Sequence, residues 1–221
     1  ILRCLVGSEM CIRDRAVLRG KLDPVPADCR LEPKTQSRLQ RAEATLHRTI
    51  QRWCGGENWA CEVGGDDIPL SAIGWDTATC PDLYGANCTH TITHCGDVAA
   101  CLSCMITSAT DQLRTLHYGD LVSEEFGTKS VVNLCQERVS TESRKLLQAQ
   151  SKKREHCWRK VAQGAITGPC PTPGDGRTAT NLVNITAKHV GNMCKKCGGL
   201  NAHCGGGDHL RDAHNLTLIH I

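Results

Sequence analysis

The chain has 221 residues, with 26 Lys and Arg against 23 Asp and Glu and a formal net charge of +3, so no strong electrostatic footprint marks it for nucleic acid. One Phe, two Tyr and four Trp supply little bulky apolar surface for a core, whereas sixteen cysteines offer cross-links in its place. No stretch approaches the run of about 18 apolar residues that a membrane-spanning helix needs.

The first segment, Leu5-Val6-Gly7-Ser8-Glu9-Met10-Cys11-Ile12-Arg13-Asp14-Arg15, looks like a translated transposon-type sequencing adapter. The last, Leu216-Thr217-Leu218-Ile219-His220-Ile221, resembles the same adapter read on the opposite strand, with Thr217 departing from it. Residues 1–15 and 217–221 are therefore set apart from fold reasoning, as tags and fusion scars are. Fourteen cysteines then remain as candidate structural disulfide partners: Cys29, Cys54, Cys61, Cys80, Cys88, Cys95, Cys101, Cys104, Cys135, Cys157, Cys170, Cys194, Cys197 and Cys204. Reducing cytosol does not normally oxidise thiols at this density, so the expected setting is extracellular or periplasmic.

A first unit is expected over residues 16–127, with helices at about 34–53 and 97–117. Leu39, Ala42, Leu46, Ile50 and Trp53 recur at helical spacing and make one apolar stripe, and Gly55-Gly56 supplies the left-handed conformations that end the helix. Cys80, Cys88, Cys95, Cys101 and Cys104 follow, running from a Pro, Gly and Asn-rich loop onto a second helix for which Asp97 is placed as cap. Tyr118-Gly119-Asp120 breaks that helix. Residues 128–163, free of Pro and Gly, read as one long connecting helix of about 50 Å, so Cys135 and Cys157 near its two ends are each expected to bond a different neighbour. A truncated second unit over 164–216 has a Pro-bearing loop after Cys170 and a helix near 177–196, with Leu182, Ile185, His189 and Met193 on its stripe. There His189 reads as a partly buried structural histidine rather than a ligand.

Self-comparison explains this division. Cys54-Gly55-Gly56-Glu57-Asn58-Trp59-Ala60-Cys61 recurs 143 residues later as Cys197-Gly198-Gly199-Leu200-Asn201-Ala202-His203-Cys204, both reading C-G-G-x-N-x-x-C. The same offset aligns Thr35 with Thr178, Leu39 with Leu182 and Leu46 with His189. The expected fold is all-α: a disulfide-stapled helical repeat or hairpin architecture with Gly/Pro-rich loops and no significant sheet. Local closures Cys54–Cys61, Cys197–Cys204 and Cys157–Cys170 are expected, with Cys29 the foremost candidate for an unpaired thiol.

Three segments carry a family resemblance: Asp28-Cys29-Arg30-Leu31-Glu32-Pro33-Lys34-Thr35; Cys95-Gly96-Asp97-Val98-Ala99-Ala100-Cys101-Leu102-Ser103-Cys104; and Cys157-Trp158 with Gly168-Pro169-Cys170-Pro171. In these the chain resembles a class of uncharacterised, exported, cysteine-rich helical repeat proteins of environmental bacteria. The resemblance implies an architecture and carries no chemistry.

The sequence assigns no catalytic residue, cofactor or metal ligand. Two Cys-x-x-Cys pairs, Cys101/Cys104 and Cys194/Cys197, could together hold zinc or act as redox thiols. The repeat weighs against this, because Gln51 stands where the second copy has Cys194. His90, His94, His203 and His209 lie near cysteines without a zincin pattern, and Gly64-Gly65-Asp66-Asp67 and Gly174-Asp175-Gly176 read as turns and caps before calcium sites. The leading expectation is an exported structural or interaction module whose partner, a protein or cell-surface ligand, is unknown. The alternative is a zinc-binding or thiol-redox protein.

Overall fold

The computed structural model describes residues 33–61, 65–83, 85–118 and 131–204. Both adapter-like ends, Cys29 and His209 lie outside them. The protein is helical: α1 spans Pro33–Cys54, α2 Cys95–Tyr118, α3 Val131–Ala162 and α4 Thr178–Cys197, with no strand among the described residues and one isolated bridge between Thr79 and Thr91. Two compact units divide the chain, one ending at Leu116 and the other taking up from His117.

In the first unit, the loop between α1 and α2 supplies much of the core. Cys80, Cys88 and Ile92 from the loop pack with Val98 and Cys101 of α2, and half-buried Leu70, Trp75, Leu102 and Met105 close the cluster. Three disulfides run through this region: Cys61–Cys95, Cys80–Cys101 and Cys88–Cys104. Cys101 and Cys104 lie one turn apart and so reach two different points of the loop. With one aromatic in the cluster, cystine sulfur occupies volume that larger side chains would otherwise fill.

The start of α2 differs from the sequence expectation. Asp97 is not the residue flanking the helix but the third residue within it, reaching back so that its Oδ2 accepts from the backbone N–H of Thr93 and His94 and from the Thr93 hydroxyl. His94 is the cap, since its Nδ1 accepts from the Gly96 N–H at 3.1 Å. Together they make a reciprocal capping box with imidazole in the usual Ser/Thr role. Burial pushes the Asp97 carboxyl up, but these accepted hydrogen bonds and the nearby His94 outweigh it and hold the group below its ordinary range.

The apolar stripe of α1 is uneven. Leu46 is buried and Leu39 half-buried, yet Trp53, one residue before the end of the helix, is 72 % exposed.

The second unit is an antiparallel hairpin of α3 and α4. Cys135 near the start of α3 bonds Cys197 at the end of α4, Glu142 meets His189, and Gln150 donates to the Thr186 hydroxyl at 3.1 Å, so each step along α3 moves one step back along α4. At the far end of α3, Cys157 bonds Cys170 in the Pro-rich loop. The two cysteines of the long helix thus take different partners, as its length requires. Asp175 then starts α4 by accepting from the N–H groups of Arg177 and Thr178, which together with Lys160 hold its carboxyl well below the usual range.

Candidate functional site

The feature that organises both units is the helix-ending cap, and its motif can be explained residue by residue. After α1, the Gly55 N–H donates to the Gln51 carbonyl at 2.8 Å; after α4, the Gly198 N–H donates to the Cys194 carbonyl at 2.8 Å. The first glycine of each pair is needed for space. A Cβ on Gly55 would lie 2.7 Å from the Gln51 oxygen and 2.8 Å from the Ala60 nitrogen, and one on Gly198 would strike the His203 backbone. The second glycine is needed for conformation, with φ of +62° at Gly56 and +66° at Gly199. The asparagine closes the turn: Asn58 Oδ1 accepts from the Ala60 N–H and Asn201 Oδ1 from the His203 N–H, both at 2.8 Å. Trp59 and Ala202 share φ of +57°. Substituting Gly55→Ala should therefore cost about 1–3 kcal/mol through overpacking against backbone, measured as a lowered denaturation midpoint with the same slope.

The cysteines that bracket the two caps are bonded differently. In the second unit Cys204 returns to Cys194, one turn above Cys197, and Cys197 crosses to Cys135 on α3. In the first unit Gln51 stands in place of Cys194, and Cys61 crosses instead to Cys95 at the start of α2. The expected closures Cys54–Cys61 and Cys197–Cys204 are both overturned. The second cap aims its two cysteines at different neighbours and the first bonds only Cys61, so nearness in sequence is a poor guide to partner here. Of the expected closures, Cys157–Cys170 is the one that forms. Among the described residues Cys54 is the free cysteine; Cys29 lies outside them.

Both Cys-x-x-Cys pairs are dispersed over four disulfides, since Cys101 bonds Cys80, Cys104 bonds Cys88, Cys194 bonds Cys204 and Cys197 bonds Cys135. No sulfur of either pair is a thiolate donor in this state. His90 Nε2 lies 3.1 Å from the Asp97 carbonyl and His94 caps α2, while His203 sits in the second cap. Asp66 accepts from the Glu57 N–H at 2.6 Å and so braces the first cap. Sulfur and carboxylate atoms of Cys61, Asp67 and Cys95 lie within 4.8 Å of one another, but the two sulfurs share a disulfide and offer no thiolate pair.

Cys54 lies beside this group. The Ile68 N–H donates to the Cys54 carbonyl at 2.8 Å, bringing the neighbouring Asp67 close. Partial burial, then the Asp67 carboxylate, push the Cys54 thiol above its ordinary pKa, which keeps it protonated and slow near neutral pH. Replacing Asp67→Asn removes the charge contribution and should speed iodoacetamide alkylation of Cys54 roughly severalfold at pH 7.5, read by peptide mass mapping.

Two further features went unread in the sequence. One is a cavity of about 1020 Å³ in the first unit, lined by Glu43 and His47 of α1 and by Ser103, Thr107, Asp111 and Thr115 of α2, across which the Ser103 hydroxyl donates to Glu43 Oε1 at 2.7 Å. The other is the buried carboxylate of Glu142, 1 % exposed. It receives His189 Nδ1 at 2.7 Å, Asn192 Nδ2 at 3.1 Å, Lys145 Nζ at 3.0 Å and Arg138 Nη1 at 3.2 Å. Burial pushes this carboxyl up, but the four donors outweigh it and bring the pKa down to about 2.

No family of known proteins, no curated protein and no solved structure matches the chain.

Proposed function

We propose that the chain is an exported structural or interaction module, in which disulfide-stapled helical units hold a fixed surface for a partner protein or cell-surface ligand. The observation that carries this reading is the dispersal of the two Cys-x-x-Cys pairs: all four sulfurs that a zinc or redox site would need are committed to separate structural bonds. Twelve of the thirteen described cysteines are joined in this way, which fits an oxidising compartment. The matching cap geometry at 55–60 and 198–203 supports an internal repeat with a spacing of 143, whose two copies keep the backbone turn while changing what each cysteine reaches. Repeat modules of this kind act through surface, and the first unit offers surface in its α1/α2 cavity and in exposed Trp53 and Trp59.

Intact-mass measurement of chain isolated from an oxidising compartment tests the reading. Alkylation without reduction should leave the twelve bonded cysteines unmodified, reduction should then expose them, and metal analysis should find no stoichiometric zinc. Ready alkylation of Cys101, Cys104, Cys194 and Cys197 before reduction would return the zinc or thiol-redox alternative to first place.

A further inference from the structure

Among the described helices α3 and α4 pack along one another, whereas α1 and α2 leave between them the cavity of about 1020 Å³. The side chains that α2 turns towards it explain the gap. Ala100, Ser103, Thr107 and Ser108 are small, and Ser103 meets α1 through the 2.7 Å hydrogen bond that its hydroxyl donates to Glu43 Oε1. A cleft of this size is in the range of small-molecule sites, which run to roughly 1,000 Å³.

The lining is chemically one-sided. Glu43 and Asp111 bring carboxylates, no Lys or Arg stands among the lining residues, and Thr107, Ser108, Gln112 and Thr115 add hydroxyl and amide groups. A cleft walled by one sign of charge concentrates the opposite sign, and here it does so on a chain whose formal net charge is +3, so the attraction is local. The spacing of the two acids sets the shape of the cation. Glu43 is fixed opposite Ser103, and Asp111 lies further along α2 by about 12 Å of helix axis. Carboxylates so placed do not share one metal ion, whose oxygen ligands sit at roughly 2–2.6 Å. Between and beside them Ala86, Ala100 and Leu116 supply apolar surface suited to methylene groups.

We infer that the α1/α2 cavity binds a linear aliphatic diamine or polyamine, with one terminal ammonium on Glu43 beside Ser103, the other on Asp111, and the methylene chain between them passing Thr107. An ammonium carries three donors, which a carboxylate and the neighbouring hydroxyl oxygens accept as charge-assisted hydrogen bonds. Spermidine and 1,8-diaminooctane hold their terminal nitrogens roughly 11 Å apart when extended and so match the span of the two acids. Putrescine, at roughly 6 Å, reaches one acid at a time, and 1,12-diaminododecane, at roughly 16 Å, overruns them. The inference rests on the interaction-module reading and deepens it, giving the surface of the first unit a ligand class.

Isothermal titration calorimetry of the full, disulfide-bonded chain with spermidine and the three diamines tests this, because the diamines differ in length at constant charge. 1,8-Diaminooctane should bind roughly tenfold tighter than putrescine, since its second ammonium meets the second acid at high effective concentration, and 1,12-diaminododecane should bind more weakly than the octane. Glu43→Gln removes one anchor at an exposed position, so it should bring 1,8-diaminooctane down to the putrescine level with the denaturation midpoint unchanged. Thr107→Trp, at an exposed lining position between the anchors, fills the cleft with both carboxylates in place and should abolish binding. Glu155→Gln, at an exposed acid of α3, should change nothing. Absence of binding, affinity that climbs steadily with chain length, or an equal loss in Glu155→Gln overturns the inference. None of these results touches the interaction-module reading, which falls only if the Cys-x-x-Cys sulfurs alkylate before reduction.

Discussion

Replacing Glu142→Leu should destabilise the α3/α4 hairpin by about 3–5 kcal/mol, and adding His189→Leu should restore much of the loss. The reasoning begins with solvation. A carboxylate 1 % exposed has surrendered its water, and four donors from His189, Asn192, Lys145 and Arg138 replace it. Removing the acceptor strands the buried imidazole of His189 without its 2.7 Å partner, and an unpaired buried polar group costs more than the bond itself contributes. Removing both polar partners lets the interface close on apolar surface, which is often neutral or better. The protein already contains the apolar solution in its first unit, where Leu46 stands at the position matching His189 and is 3 % exposed. Chemical denaturation of wild type, both single variants and the double variant forms a double-mutant cycle. A double variant no more stable than Glu142→Leu alone would show that the pair was not acting as a unit.

The same carboxylate sets an acid limit. Its pKa is lowered in the folded state to about 2 from an ordinary value of 4.5, so its contribution is complete above the unfolded value and is lost as pH falls from about 4.5 towards 2. The shift corresponds to about 3 kcal/mol. Stability measured against pH should therefore fall across that window in wild type, and the fall should be shallower in the Glu142→Leu/His189→Leu variant.

What the sequence disclosed and what it hid follow one division. The helices were legible because periodicity, Gly-Gly breaks and a Pro-free run are local properties, and the structure finds them at Pro33–Cys54, Cys95–Tyr118, Val131–Ala162 and Thr178–Cys197. The cap motif was legible because two copies could be compared. The disulfide partners were hidden because closure was judged by separation along the chain, whereas Cys61–Cys95 and Cys135–Cys197 span 34 and 62 residues. One signal was available: Gln51 at the place of Cys194 left Cys61 without the partner that its counterpart Cys204 takes. The Glu142 cluster was hidden for a related reason. A stripe read on one helix shows that His189 is inward but not what faces it, and only the antiparallel register of α3 and α4 brings the carboxylate opposite. Asp97 shows a smaller displacement: it does serve the start of α2, but from the third position inside the helix, while the flanking place falls to His94, which in sequence reads only as a histidine near cysteines.

Among the three disulfides of the second unit, Cys135–Cys197 should matter most. In the chain-entropy account, bond removal releases the unfolded chain in proportion to the logarithm of the loop it closed. A separation of 62 residues gives about 4 kcal/mol, against about 3 kcal/mol for the separations of 13 at Cys157–Cys170 and 10 at Cys194–Cys204. Native-state position adds to the difference. Cys135 and Cys197 lie within the α3/α4 interface at 4 % and 7 % exposure, and their bond fixes the register that places Glu142 opposite His189. A Cys135→Ser/Cys197→Ser variant loses both the cross-link and that registration, so its loss should exceed the entropic figure and its acid transition should move towards that of the Glu142→Leu/His189→Leu variant. Opening Cys194–Cys204 leaves the register intact and loosens only the cap, so a Cys194→Ser/Cys204→Ser variant should keep the wild-type acid transition. Finding the reverse order in denaturant unfolding would place the unit's stability in the cap and not in the register of its two helices.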